Sequence, residues 1–195
     1  MLPSGGQSLI IDGAFVFEPP RFEDDRGWTS EIVSFRIMEC LGLSFVPIQE
    51  NLSYSRYAGV VRGLHFQRPP FSQAKVVRVA SGAVFSVLLD LRVGRTSFEH
   101  WDGVRQSFSQ GECLYVPAGC AHGVAVLEEA TVLSWTNDAS FDAASVDGVL
   151  FSDPALQINL PFPAGEARNS QRDLGLPLLA AQPFRFDYTG RHKAG

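Results

Sequence analysis

The chain has 195 residues, 45% hydrophobic and 19% charged, with a formal net charge of -5 at pH 7. That length suits a single domain over residues 1–195 with a core that needs no disulfide, and the acidic balance argues against nucleic-acid binding while leaving room for a local basic pocket that holds a phosphate. No stretch approaches the roughly 18 apolar residues of a membrane helix and no basic, then apolar, leader opens the chain; Cys40, Cys113 and Cys120 are odd in number and lack CxxC spacing, so a cytoplasmic protein with reduced thiols and no membrane partner is expected.

Residues 1–8 are small and polar and read as loose. Leu9 to Phe17 offers two short strand candidates split by Asp12-Gly13, and Glu23 to Gly27 forms a turn before a strand over Trp28 to Val33. Phe35, Met38 and Leu41 recur at helical spacing, with Gly42 as the stop. Strand character returns at Phe45 to Asn51, and the polar stretch from Asn51 to Gly59 reads as a connector. Strand then follows strand: Val60 to Phe66, Val76 to Val79, Val84 to Arg92, Trp101 to Phe108, Glu112 to Val116, His122 to Leu127 and Thr131 to Thr136. A series of this kind without βαβ alternation predicts an all-β sandwich or barrel. The run Val84-Phe-Ser-Val-Leu-Leu89 suggests a strand covered on both faces, in a closed jelly-roll barrel or beneath a partner chain. Past Asn137 the chain is polar and Pro-rich, which predicts loops and short helices packed on the barrel, with residues 190–195 loose.

One stretch needs more than a packing explanation. Gly59-Val-Val-Arg-Gly-Leu-His-Phe-Gln67 and the following Pro69-Pro70 and Gln73-Ala-Lys75 read as strand, stiff turn and strand, yet they carry Arg62, His65 and Lys75 among buried-type residues. Period-2 alternation would send Arg62 and His65 to opposite faces, so a bulge at Gly63 is expected to bring them to the same side. Buried cations call for a balancing anion or a developing negative charge, which favours a functional cluster over a structural one. There is no HxH, and His65 and His122 fall on different strands without a clear carboxylate third ligand, so an acid–base site with no metal and no cofactor fits best.

Arg62-Gly-Leu-His-Phe-Gln67 with Gln73-Ala-Lys75 resembles the signature of the dTDP-4-dehydrorhamnose 3,5-epimerase family. The likeness runs on through Asp25-Arg-Gly-Trp-Thr-Ser-Glu31, Gln49-Glu-Asn-Leu-Ser53, Val87-Leu-Leu-Asp-Leu-Arg92, Val116-Pro-Ala-Gly-Cys-Ala-His-Gly123 and Ser170-Gln-Arg-Asp173, in family order, over about nine tenths of the chain. It implies a cupin-type double-stranded β-helix with a few short helices, a homodimer, and removal of a proton alpha to the C4 ketone of a nucleotide-linked deoxysugar. By the same resemblance His65 is the general base and Asp173 the carboxylate that orients it. Lys75 is the cation beside the ketone oxygen and Arg62 a diphosphate ligand. Arg26, Glu31, Gln49 and Asn51 hold the nucleotide, some from the other subunit, and His122 is a second active-site His.

Three departures accompany the matches. Ser134 stands where the family Tyr that reprotonates the carbanion is expected, Ser86 where an inward Asp is usual, and Ala139-Ser140 where an aromatic pair usually follows. A Ser hydroxyl is a far poorer acid than a phenol, so epimerisation at C3 and/or C5 is expected, with action at one centre only left open and water, Tyr115 or Tyr188 as replacement acids. The alternative is another proton transfer or a cyclisation next to a carbonyl of a non-nucleotide substrate on the same scaffold, and a noncatalytic relative is disfavoured by the retained base, its carboxylate and the two cations.

Overall fold

A computed structural model describes residues 4–187. Strands β1 (Ser4–Ser8) and β2 (Phe15–Glu18) form a hairpin, β3 (Arg21–Asp24) and β4 (Gly27–Ser30) a second, and helix α1 (Phe35–Cys40) leads to β5 (Gln49–Ser55). The central ladder is β6 (Val61–Gln67), β7 (Lys75–Ser81), β8 (Ala83–Asp90), β9 (Arg92–Val93), β10 (Trp101–Ser107), β11 (Cys113–Val116), β12 (Cys120–Val126) and β13 (Thr131–Asn137). The remainder adds β14 (Val146–Gly148), α2 (Gln171–Leu174), two 3₁₀ turns and β15 (Phe186–Asp187).

Two antiparallel sheets face each other, one in the order β1-β2-β11-β7-β13-β5 and the other β10-β8-β12-β6-β14. This is the cupin-type jelly-roll barrel, and the period-2 alternation of its strands sorts side chains into three layers. Val77, Val79, Val84, Leu88, Leu114, Val116, Val124 and Val126 fill the space between the sheets. On the outside of the second sheet, Leu64, Phe66, Val87, Leu89 and Ala125 are covered by the C-terminal segment through Phe151, Leu156 and Phe184. On the outside of the first, Phe17, Val76 and Cys113 lie under α1 and Phe45. The apolar run in β8 is thus buried on both faces, its outer one by the chain's own C-terminal segment.

Several elements differ from their sequence reading. Ser4–Ser8 is not loose but pairs with β2, and Leu9 and Ile11, expected in a strand, instead pack from the turn onto the inner core. Helix α1 is capped by Ser34, and it stops in a Schellman motif: Gly42 is left-handed at φ +72°, with Gly42 N–H donating to Glu39 O and Leu43 N–H to Met38 O. It buries Ile37 and Met38, while Phe35 is exposed. Residues 51–55, expected as a connector, continue β5, because the inward side chains of that strand line a polar cavity rather than a core. Cys113 and Cys120 are buried and Cys40 is exposed, all three as free thiols. Tyr188 and residues 190–195 lie outside the described residues.

The expected bulge is present in β6. His122 pairs with His65 and Val124 with Arg62, so two steps along β12 oppose three along β6. Gly63 takes up the extra residue at φ +104°, and a Cβ there would come within 2.8 Å of Gly123 Cα and His122 O. Val61, Leu64 and Phe66 consequently face outward, and Arg62 and His65 share the inner face.

Candidate active site

At one end of the barrel the inner layer gives way to a cavity of about 590 Å³. Arg62, His65 and His122 form one wall, from β6 and β12. Gln49, Asn51, Lys75, Trp135 and Asn137 form the facing wall, from β5, β7 and β13, and Phe141, Arg168, Arg172 and Asp173 close the rim.

His65 is oriented before any ligand arrives. Its Nε2 lies 2.9 Å from Asp173 Oδ1, and Gly63 N–H donates to Asp173 Oδ2 at 3.4 Å. The Ser170-Gln-Arg-Asp173 segment places this carboxylate: Ser170 Oγ caps α2 by accepting the Asp173 N–H at 3.1 Å, which starts the helix and turns the Asp side chain toward β6. Burial lowers the His65 pKa and Asp173 opposes that shift, so the imidazole is neutral at pH 7 with Nδ1 available to the cavity. Directly across the β6–β12 pair, His122 is buried, its Nε2 has no hydrogen-bond partner among the described residues, and burial together with Lys75 and His65 pushes its pKa down to about 3.

Lys75 begins β7 on the opposite wall. Burial takes its pKa from 10.5 down to about 8, and among the described residues no carboxylate pairs with it. Its cross-strand neighbour Asn137 has a buried Oδ1 with no donor. Gln49 Nε2 donates to Asn51 Oδ1 at 2.6 Å, and Arg62 reaches Tyr54 O and Ser55 Oγ only at 3.4 Å, leaving most of its donors free.

Ser134 is not brought to this site. It pairs with Leu52 and Arg78 on the outer face of its sheet, where its hydroxyl donates to Glu50 Oε1 at 2.9 Å. Strand parity puts Trp135 in the cavity instead, between Asn51 and Val77. Nor does this chain bring Arg26 or Glu31 to its own cavity: Arg26 is exposed and Glu31 half-buried near the β3–β4 hairpin, and they pair locally with Asp24 and Arg36. Ser86 lies deeper in the barrel, donating to Gln106 Oε1 at 2.7 Å. Tyr115 is on the outer face among Phe15 and Phe45, and burial raises its phenol to about 12. Residues not singled out from the sequence are Trp135, Asn137, Phe141, Arg168 and Arg172. Apolar residues on both parities of β13 left no local signal for Trp135. Among the described residues no group of three or more His, Cys, Asp or Glu is spaced to hold a metal.

A jelly-roll barrel with a tethered His–Asp pair facing a buried Lys defines a cupin-type acid–base enzyme. The chain belongs to the dTDP-4-dehydrorhamnose 3,5-epimerase family, whose model matches residues 8–181. It is 37% identical over 182 residues to the dTDP-4-dehydrorhamnose 3,5-epimerase of Sinorhizobium fredii, covering 93% of each chain. It superposes with a TM-score of 0.88 on the dTDP-6-deoxy-D-glucose-3,5-epimerase of Legionella pneumophila in complex with dTDP-4-keto-L-rhamnose, at 30% identity over 94% of this chain and 98% of that one. A 3'-monoepimerase from Streptomyces bikiniensis in complex with dTDP superposes at 0.80, with 28% identity over 89% of this chain and 86% of that one. That enzyme was solved as a double variant at a His and a Tyr seventy positions apart, the spacing from His65 to Trp135. In this chain strand parity turns Trp135, not Ser134, into the cavity.

Proposed function

We propose that this protein epimerises a dTDP-4-keto-6-deoxyhexose, removing a proton alpha to the C4 ketone at C3, C5 or both. The observation that carries the reading is the His65–Asp173 pair aimed into a cavity whose other wall holds Lys75. Neutral His65 takes the carbon-bound proton at Nδ1 while Asp173 stabilises the imidazolium that forms. The electrons move onto the ketone oxygen, where the Lys75 ammonium stabilises the enolate. Arg62, Arg168 and Arg172 lie around the opening and supply forked donors suited to a diphosphate. The relatives' names, all epimerases of dTDP-linked keto sugars, support this chemistry over a cyclisation or a non-nucleotide substrate.

The working form proposed is a cytoplasmic homodimer. Leu52 and Tyr54 project from the outer face of edge strand β5, flanked by exposed Val46 and Ile48, an apolar surface suited to a second copy. The β3–β4 hairpin, with exposed Phe22 and Trp28, would then carry Arg26 and Glu31 toward the partner's cavity. Free thiols fit a reducing compartment. Light scattering at micromolar concentration should give twice the chain mass, and a monomer there would remove the dimer. For the activity, dTDP-4-keto-6-deoxyglucose in deuterium oxide should take up deuterium at C3, C5 or both, followed separately by NMR. No uptake at either carbon would sink the epimerase reading.

A further inference from the structure

Inversion at a carbon beside a ketone needs two proton-transfer groups on opposite faces of a planar enolate. The cavity divides the same way, since His65 and His122 come from one sheet and any donor to the far face must come from the other. On that other wall the described side chains are amides, a Ser, apolar groups, Trp135 and Lys75. Trp135 has an indole N–H that donates a hydrogen bond but is not an acid in water, and amides are not acids either. Tyr54 and Tyr115 belong to the outer face, and the Asp173 carboxylate is held by His65 on the first side.

We infer that Lys75 is the acid as well as the electrostatic partner of this pocket: after His65 has removed the proton from one face, the Lys75 ammonium delivers one to the same carbon from the other. The inference rests on the epimerase reading and deepens it. In the step, the substrate C–H bond breaks as the His65 N–H forms and its electron pair moves into the enolate. A Lys75 N–H then breaks as the new C–H forms, the enolate pair returning to carbon and the carbonyl reforming. One turnover leaves imidazolium at His65 and a free amine at Lys75, and exchange with solvent restores both. The absence of an ion pair among the described residues suits this role, because a carboxylate bound to the ammonium would hold its proton, and burial that takes its pKa to about 8 brings it close to the best value for an acid working near neutral pH. The free Oδ1 of Asn137 is placed to accept a second Lys75 N–H and steady the head group.

The discriminating variant is Lys75→Arg, which keeps the positive charge but has no proton to give at neutral pH. In deuterium oxide it should still exchange the substrate hydrogen through His65 with retention, within about tenfold of the wild-type rate, while inversion falls by about 10²-fold or more. Calorimetry with dTDP shows that the variant retains a folded pocket. Should Arg disturb the pocket, Lys75→Ala gives a second reading: methylammonium should rescue inversion and guanidinium should not. Inversion by Lys75→Arg at the wild-type rate, equal loss of inversion and exchange, or equal rescue by the two cations would overturn the role of Lys75 while leaving the epimerase reading intact. Wild-type protein that neither exchanges nor inverts would overturn both.

Discussion

The two walls of the cavity are built differently. His65 is tied to Asp173, which is tied in turn to Gly63 N–H and, through its own N–H, to the helix-capping Ser170, so the imidazole is positioned by a chain of bonds across two elements. Facing it, among the described residues Lys75 has no ion pair and Asn137 Oδ1 has no donor. A buried cation without a counterion costs desolvation energy, and a ligand that brings negative charge repays it. One wall is therefore set in advance, and in the proposed reaction the other is completed by negative charge that develops on the substrate.

The strongest way to break this contrast is to remove the base. His65→Ala should reduce deuterium uptake from solvent by about 10²- to 10⁴-fold, and a variant that still exchanged normally would show that the tethered wall is not where the proton leaves. Asp173→Asn tests the tether itself. Rate should fall by less than in His65→Ala, and the acidic limb of the kcat/KM profile should move to lower pH. The sign follows from the pair: Asp173 raises the His65 pKa against the effect of burial, so without it the imidazole stays neutral to lower pH. A fall in rate with no shift of the limb would reduce Asp173 to a packing role.

Weaker effects are expected at the rim. Arg62→Ala and Arg168→Ala should each weaken dTDP binding by about 10-fold or more, as for a lost charge-assisted hydrogen bond, and the wild-type affinity should fall as salt is added. Calorimetry at two ionic strengths reads both. Arg168 also stacks on Tyr57, with its guanidinium carbon 4.9 Å from the ring centroid, so its variant carries some lost packing as well.

The tethered wall was the more legible of the two in the sequence. A Gly between Arg62 and His65 signals a bulge from local rules, while Asp173 is reached through the family resemblance and its seat in the Ser170-capped turn comes from the structure. The facing wall depends on register. In Val132-Leu133-Ser134-Trp135 apolar residues occupy both parities, and β13 slips against β7 between Val132 and Leu133, so nothing local says whether Ser134 or Trp135 turns inward. Strand β5 reverses the usual rule: Gln49, Asn51 and Ser53 face in and Leu52 and Tyr54 face out, which disguised half of it as a connector. Arg168 and Arg172 reach the cavity from segments whose paths are set by tertiary packing. Their positions do not follow from any periodicity.

The effect expected at His122 is of another kind, on stability rather than on activity. In the folded chain its pKa lies near 3, against an ordinary 6.5, because burial and the neighbouring Lys75 and His65 disfavour the imidazolium. The unfolded chain therefore binds a proton that the folded chain refuses throughout the window between those values. Stability from this residue is fully present above about pH 6.5 and declines as pH falls toward 3, by about 1.4 kcal/mol for each unit once the unfolded form is protonated. His122→Leu should remove that slope. The substitution also changes packing, but that offset does not vary with pH, so the informative quantity is the difference between the two curves of urea midpoint against pH from 7 down to 4. It should narrow as pH falls if Leu is the weaker packer, or widen in favour of the variant if it is not. Curves that stay parallel would mean that His122 accepts its proton in the folded state as readily as in the unfolded one, and that the cavity side of this wall is wetter than its unpartnered Nε2 implies.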